Sequence, residues 1–171
     1  MTAVKVTADG TLGLFQETIA VDTGSMVVNS DVPVTVNSTF TATSTVTATG
    51  ASVSLRDIQE STTPITGATG ATTHNAALAH IFFHTSIAGA FTANFTNVGL
   101  ASGKATNLTL VLAQGATPRL PTMGTIDGSS VTFSWQGNVT PTPTASRTDV
   151  VTFSVINSSG TYLVYGQLVS F

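Results

Sequence analysis

Short runs of alternating apolar and polar residues constrain the fold of this chain most, with turn-forming residues at intervals of about ten positions. Alternation places every second side chain on the same face of a strand, whereas a helix repeats every three to four residues. The pattern predicts an all-β fold, specifically an antiparallel, jelly-roll-like β-sandwich. We expect residues 74–171 to form this sandwich, residues 61–73 to be a loop, and residues 1–60 to be an N-terminal arm or small β subdomain for docking.

The C-terminal segment shows the alternation most clearly. Phe133 and Trp135 lie on the same side of one run, which predicts a half-buried strand with Trp135 as a core anchor. Residues 149–156 are apolar on both sides and are expected to form a central strand. The turn sequence at residues 157–160 then returns the chain, so that residues 161–171 pair with the central strand.

The middle of the chain predicts further strands. Residues 77–87 combine alanines, which favour a helix, with a His-Ile-Phe-Phe-His run, which favours a strand. The break at Gly89 and the alternation at residues 91–95 favour a strand, so we predict a hairpin here. Residues 108–112 predict a buried strand, and the Asp-Gly pair at residues 127–128 predicts a tight turn.

The low content of charged residues indicates a protein that is held among other proteins. Only 8% of the 171 residues are charged and the net charge is -3, whereas an ordinary soluble domain has roughly 25% charged residues. A nearly neutral surface gives little electrostatic repulsion between close neighbours. We therefore expect a dense, permanent assembly, and a homo-oligomer in particular.

Composition also argues against several classes of partner. The five basic residues are scattered, which predicts no nucleic-acid binding. The absence of cysteine excludes thiol catalysis and zinc-cysteine sites. No apolar run is long enough to span a membrane, and the N-terminus lacks the charged segment and apolar core of a signal peptide, so we expect neither a membrane anchor nor secretion by the usual route.

The three histidines are candidates for a metal site or a subunit contact. On a helix, His80 and His84 would share a face and could bind one metal ion. On a strand they lie about 13 Å apart, which is too far for one ion. We therefore predict no metal site and partly buried histidines that form hydrogen bonds with their neighbours. If the protein is a trimer, a second alternative remains, in which histidines stack on the symmetry axis and form a pH-sensitive contact.

The acidic residues do not predict an active site. Glu17 and Glu60 are the only glutamates, and both lie in turn-like settings without an aromatic cleft. Neither a nucleophile elbow nor a phosphate-binding loop occurs, so we expect no enzyme and no cofactor. Two interpretations of Asp149 are compatible with the sequence. In the first it is a calcium ligand or an acid at a subunit contact. In the second, which we prefer, its carboxylate accepts hydrogen bonds from backbone amides of residues 141–146 or pairs with Arg147.

A threonine array occupies residues 40–49, where every second residue from Thr41 to Thr49 is threonine. A flat array of this kind is compatible with ice binding if it repeats on stacked rungs. No such repeat is found in the sequence. The array therefore predicts an ordinary β-branched strand with a hydroxylated solvent face.

Several spaced elements of residues 71–171 share a pattern with a known module. They are AFTANFTNV at 90–98, LTLVLAQG at 108–115, Trp-Gln-Gly at 135–137, the Pro/Thr loop at 141–144, Asp-Val-Val-Thr-Phe at 149–153, Gly166 and Phe171. With these elements the chain resembles a C-terminal β module of tailed-bacteriophage virion proteins, especially fibre and surface proteins of marine and cyanobacterial phages. Residues 1–70 resemble no family.

The resemblance implies a non-enzymatic structural protein, commonly trimeric, that is displayed on the virion after assembly in the host cytoplasm. The absence of coiled-coil heptads and of a repeated shaft favours a capsid decoration protein or a short head fibre, with the major capsid protein or other virion proteins as partners. The structural or assembly candidates are Trp135, Asp149, Phe153, Phe171, His80 and His84.

Two alternative functions are compatible with the same sequence. The first is a tail-fibre tip that recognises a host surface glycan through loops at residues 61–73 and 138–147. The second is a cell-surface filament or an ice-binding protein.

Overall fold

Ten strands and one short 3-10 turn make up the regular structure of residues 59–171, the part that the computed structural model describes. The strands are β1 (Thr62–Thr66), β2 (Gly70–Asn75), β3 (Ile81–Thr85), β4 (Phe91–Thr96), β5 (Ala105–Ala113), β6 (Thr122–Ile126), β7 (Ser129–Ser130), β8 (Phe133–Trp135), β9 (Thr148–Ser158) and β10 (Thr161–Ser170), and the 3-10 turn is Gln136–Asn138. The predictions for the arm or subdomain and for the threonine array at residues 40–49 lie outside the described residues, apart from residues 59 and 60. Within residues 59–171, no helix has the length and apolar character needed to cross a membrane.

The strands form two sheets that pack face to face, which confirms the predicted all-β sandwich. The six-stranded sheet has the order β1-β3-β5-β9-β10-β8, and the four-stranded sheet has the order β2-β4-β6-β7. The predicted central strand is β9, which pairs with β5 on one side and β10 on the other.

The strand directions differ from the antiparallel, jelly-roll-like arrangement expected from the sequence. From β1 to β6 the chain alternates between the two sheets, so each strand next pairs with the strand two places further along. Each strand runs opposite to the one before it, so two strands that are separated by one strand of the other sheet run in the same direction and pair in parallel. The pairs β1–β3, β3–β5, β2–β4 and β4–β6 are accordingly parallel, as is β8–β10.

Two local predictions change for the same reason. The predicted hairpin over residues 81–95 is absent, because β3 and β4 belong to different sheets and turn their apolar faces toward each other across the core. The predicted loop at residues 61–73 contains β1 and the first residues of β2. The sandwich therefore begins by Thr62, since the β-branched threonines of this segment outweigh its glycines.

The tight turns follow the sequence signals. Ser159 and Gly160 join β9 to β10 with φ angles of 52° and 88°, and Asp127 and Gly128 join β6 to β7 with φ angles of 48° and 81°. Two consecutive residues with positive φ are typical of the type I′ turn, which matches the twist of a hairpin.

The core lies between the sheets and is built from alternate residues of each strand. Leu108, Leu110 and Leu112 of β5 are fully buried, and Phe153 of β9 stacks on Phe133 of β8 with ring centroids 4.4 Å apart. The opposite residues of the same strands point away from the core. The outer face of the six-stranded sheet is therefore formed by side chains that no described strand covers.

Candidate functional site

The outer face of the six-stranded sheet carries a continuous line of apolar side chains across five strands. The strand register aligns them as neighbours, and we call them the apolar row: Pro64, Phe83, Val111, Val150 and Val169. Phe83 is 41% exposed and Val169 is 43% exposed. Because neighbouring strands lie about 4.8 Å apart, the five side chains form one band roughly 20 Å long.

This outer face has no ionised side chain on its strands. Asp149 is the only residue with a formally charged side chain in the six described strands of the sheet, and it points inward and is fully buried. The residues next to the apolar row are mainly threonine, serine, asparagine and glutamine. An exposed apolar band on an uncharged face is typical of a surface that contacts another molecule.

A shallow depression of about 240 Å³ lies on the same face, over β8, β9 and β10. Tyr165, which is 49% exposed, forms part of its wall. The polar side chains that line it are Ser134, Gln136, Thr152, Ser154 and Gln167. Hydroxyl and amide groups beside one exposed aromatic ring can form hydrogen bonds with a neutral polar ligand while the ring contacts its apolar part.

A buried pair of histidines joins the two sheets. His74 of β2 and His84 of β3 face each other with their Nε2 atoms 2.9 Å apart, so that one ring donates a hydrogen bond to the other. Both rings are fully buried, and His84 stacks on Phe91 while His74 contacts Phe82 and Phe95. The pair is a polar contact within an otherwise aromatic part of the core.

Burial keeps both imidazoles neutral. Desolvation, and to a smaller extent the charge of His84 when it is protonated, lowers the pKa of His74 from 6.5 to about 4. Desolvation also lowers the pKa of His84 to about 4. Protonation is therefore unfavourable in the folded protein at neutral pH, because the positive charge would have no solvent around it.

Asp149 connects three parts of the fold from a fully buried position. Its Oδ2 accepts hydrogen bonds from Gln114 Nε2 at 2.9 Å and from the amide of Thr144 at 3.0 Å, and its Oδ1 accepts one from Ser170 Oγ. The contact with Thr144 is the loop-amide contact that the sequence analysis preferred. Because Asp149 is fully buried, the subunit-contact alternative does not fit its position.

The remaining candidates from the sequence occupy different environments. Trp135 is half-buried against Phe133 and Phe153, and Phe153 is fully buried, so both belong to the core. Phe171 is 69% exposed, directly after β10. His80 lies just before β3, and its Nδ1 is 3.4 Å from Thr106 Oγ1.

The histidine prediction needs correction for His84. It forms a hydrogen bond with a neighbour as expected, here His74, but it is fully rather than partly buried, and its burial in the core prevents it from lining a channel on a symmetry axis. Among residues 59–171, no three or more His, Cys, Asp or Glu side chains come together as metal ligands would. Sequence reasoning missed the His74–His84 pair and the apolar row, because each depends on which strands become neighbours.

The fold thus defines an all-β sandwich with one uncharged, partly apolar outer face. Comparisons with protein-family models, with curated proteins and with solved structures gave no match.

Proposed function

We propose that this protein is a non-enzymatic structural protein of a bacteriophage virion, where it acts as a capsid decoration protein or a short head fibre. The observation that carries the proposal is the apolar row on an uncharged sheet face. A face of this composition is stabilised when another protein covers it, because apolar area is removed from water and no charge has to be desolvated.

The resemblance of residues 71–171 to a virion module supplies the biological setting. In this setting the chain folds in the host cytoplasm and then binds the particle, with the major capsid protein or other virion proteins as partners. The low charge of the whole chain, 8%, is compatible with close packing beside many identical neighbours.

Purified virions provide the test. An antibody against this protein should label particles of the phage that encodes it, and imaging of intact particles should place one density per copy at regular positions of the capsid. Particles assembled without the gene should lack this density. Protein found only in the soluble fraction of infected cells would contradict the proposal.

A second candidate function is recognition of a host surface glycan, as at the tip of a tail fibre. The depression beside Tyr165 favours it, because hydroxyl and amide groups line this depression and none of its lining residues within 59–171 is charged. The predicted site at residues 61–73 is less suitable, since this segment forms strands. Of the other predicted loop, Val139 and Pro141 line an adjacent depression, and Thr140 lines a further one.

A glycan array distinguishes the two functions. Binding of a neutral saccharide that is lost in Tyr165→Ala and retained in Phe83→Ala would favour the glycan-binding function. An array without signal, together with capsid density for this chain, would exclude that function.

A further inference from the structure

We propose that the apolar row binds a second copy of this chain, so that the protein self-associates through the outer face of its six-stranded sheet. The inference deepens the proposed structural role by naming the partner of this surface. It commits to a contact between two outer faces, with the row of one copy against the row of another.

The distribution of exposed apolar side chains selects this face. Seven large apolar residues are exposed in the described part of the chain. Phe83, Leu163, Tyr165 and Val169 point outward from this one sheet, and Val150 and Val111 join Val169 to Phe83; Phe171 directly follows β10, whereas Leu78 and Val139 lie singly in connecting segments. Single exposed apolar residues are ordinary on protein surfaces, but a contiguous group indicates an interaction site.

The charge distribution favours a copy of the same chain as the partner. The described residues carry three acidic side chains (Glu60, Asp127, Asp149) and three basic side chains (Lys104, Arg119, Arg147), so they have no net charge. The whole chain has a net charge of -3, so two copies of it meet only weak net repulsion. The face offers no charge to attract or orient a strongly charged partner, whereas an identical uncharged face is compatible with it.

The size of the face is close to what a stable contact needs. The six strands have lengths of 5, 5, 9, 3, 11 and 10 residues. At about 3.3 Å per residue and 4.8 Å per strand, they cover roughly 700 Å² of sheet. A stable interface of standard size takes about 800 Å² from each partner, so a contact of that size would use the whole of this face.

Lysine substitutions in the row provide the test, with the full-length chain studied by sedimentation velocity. The wild-type protein should sediment as a dimer of the 17.4 kDa chain, because a contact between two identical faces closes with two copies, whereas a trimer would need a different contact. Val169→Lys and Phe83→Lys should each raise the dissociation constant roughly tenfold or more, because a lysine charge would be buried without a partner. Both residues are at least 40% exposed in the single chain, so folding should be retained and is checked by circular dichroism.

Leu78→Lys is the matched control, because Leu78 is 63% exposed and lies in the segment between β2 and β3, outside the sheet. It should leave the oligomer unchanged. Val169→Thr is a second variant that keeps a β-branched side chain and should weaken association less than lysine does. A wild-type protein that is monomeric at about 100 µM, row variants that associate normally, or a control that dissociates equally would each overturn the inference.

The result also separates this inference from the proposed function. A monomer that nevertheless occupies regular positions on the capsid would refute self-association and leave the virion role intact. An oligomer that depends on the row but is absent from virions would support self-association and refute the virion role.

Discussion

At the residue scale, His74 and His84 lose contact with solvent on folding and share one hydrogen bond between their Nε2 atoms. Each has a pKa of about 4 in the folded protein, compared with 6.5 for an ordinary histidine. The unfolded chain therefore binds more protons than the folded chain between these two values. The two histidines should leave the free energy of unfolding unaffected above about pH 7. They should lower it as the pH decreases from about 6.5 to 4, and they should change it no further below pH 4.

We predict a loss of up to about 3 kcal/mol in the free energy of unfolding for each imidazole over this pH interval. Urea unfolding at several pH values, followed by the fluorescence of Trp135, the only tryptophan, measures the loss. The double substitution of His74 and His84 by leucine should remove this part of the pH dependence, whereas His80→Gln should retain it. Parallel pH profiles for the wild type and the double variant would contradict the assignment.

Asp149 allows a second prediction at this scale. Asp149→Ala removes the acceptor for Gln114, Thr144 and Ser170, and buried donors would be left without partners. We expect a decrease of about 2–4 kcal/mol in the free energy of unfolding. Asp149→Asn should lower the free energy of unfolding less than Asp149→Ala does, because the Ser170 hydroxyl can rotate and accept a hydrogen bond from the new amide.

The exposed Glu60 provides the control for Asp149, since Glu60→Ala removes the same charge from the surface. The urea concentration at the midpoint of unfolding of Glu60→Ala should stay close to that of the wild type. Equal losses for Asp149→Ala and Glu60→Ala would show that the buried hydrogen bonds contribute nothing specific.

At the scale of elements, β8 packs against β10 at Gly166, where the Trp135 ring occupies the space of a side chain. A Cβ atom at Gly166 would lie 2.7 Å from Trp135 Cζ3 and 3.2 Å from Phe153 Cε1. Gly166→Ala should therefore displace the ring and lower the free energy of unfolding by about 1–3 kcal/mol. Thermal unfolding measured by circular dichroism would detect the change.

Gly115 is the matched control for this substitution, because a Cβ atom there meets no atom within 4 Å and its φ angle is not in the left-handed region. Gly115→Ala should leave the melting temperature unchanged or raise it slightly. A Gly166→Ala variant as stable as the control would show that β8 does not pack on β10 as described.

The elements also show what could be predicted from the sequence. The β9–β10 hairpin and the β6–β7 turn were predictable, because Ser-Gly and Asp-Gly pairs specify a tight return within a few residues. Alternation likewise predicted that Phe133 and Trp135 of β8 face the core, whereas residues 149–156, expected to be apolar on both sides, alternate between buried and less buried positions. Alternation does not specify a partner strand, so the parallel pairing of β1 to β6 through two sheets could not be derived from local patterns.

The same limit explains the candidate sites. Asp149 was correctly connected to the loop that contains Thr144, because the two are five residues apart. The two histidines of the buried pair are ten residues apart and lie on different sheets. The apolar row joins residues from Pro64 to Val169, and no local sequence window contains all of them.

At the scale of the whole molecule, the proposed contact between copies is apolar and lies on a face without ionised side chains on its strands. Screening by salt weakens attraction between charges but has little effect on apolar burial. We predict that the dissociation constant of the oligomer changes less than about threefold between roughly 0.05 and 0.5 M sodium chloride. Sulfate at the same ionic strength should strengthen association, because it is excluded from the protein surface.

Sedimentation velocity over both salt series measures the effect, and Val169→Lys serves as the comparison. The lysine variant places like charges on two facing rows, so sodium chloride should partly restore its association by screening them. A wild-type oligomer that dissociates in sodium chloride would instead be held by charged groups, and the described strands of this face place none in the apolar row. The contact between copies would then use another surface of the molecule, even if the oligomer itself were real.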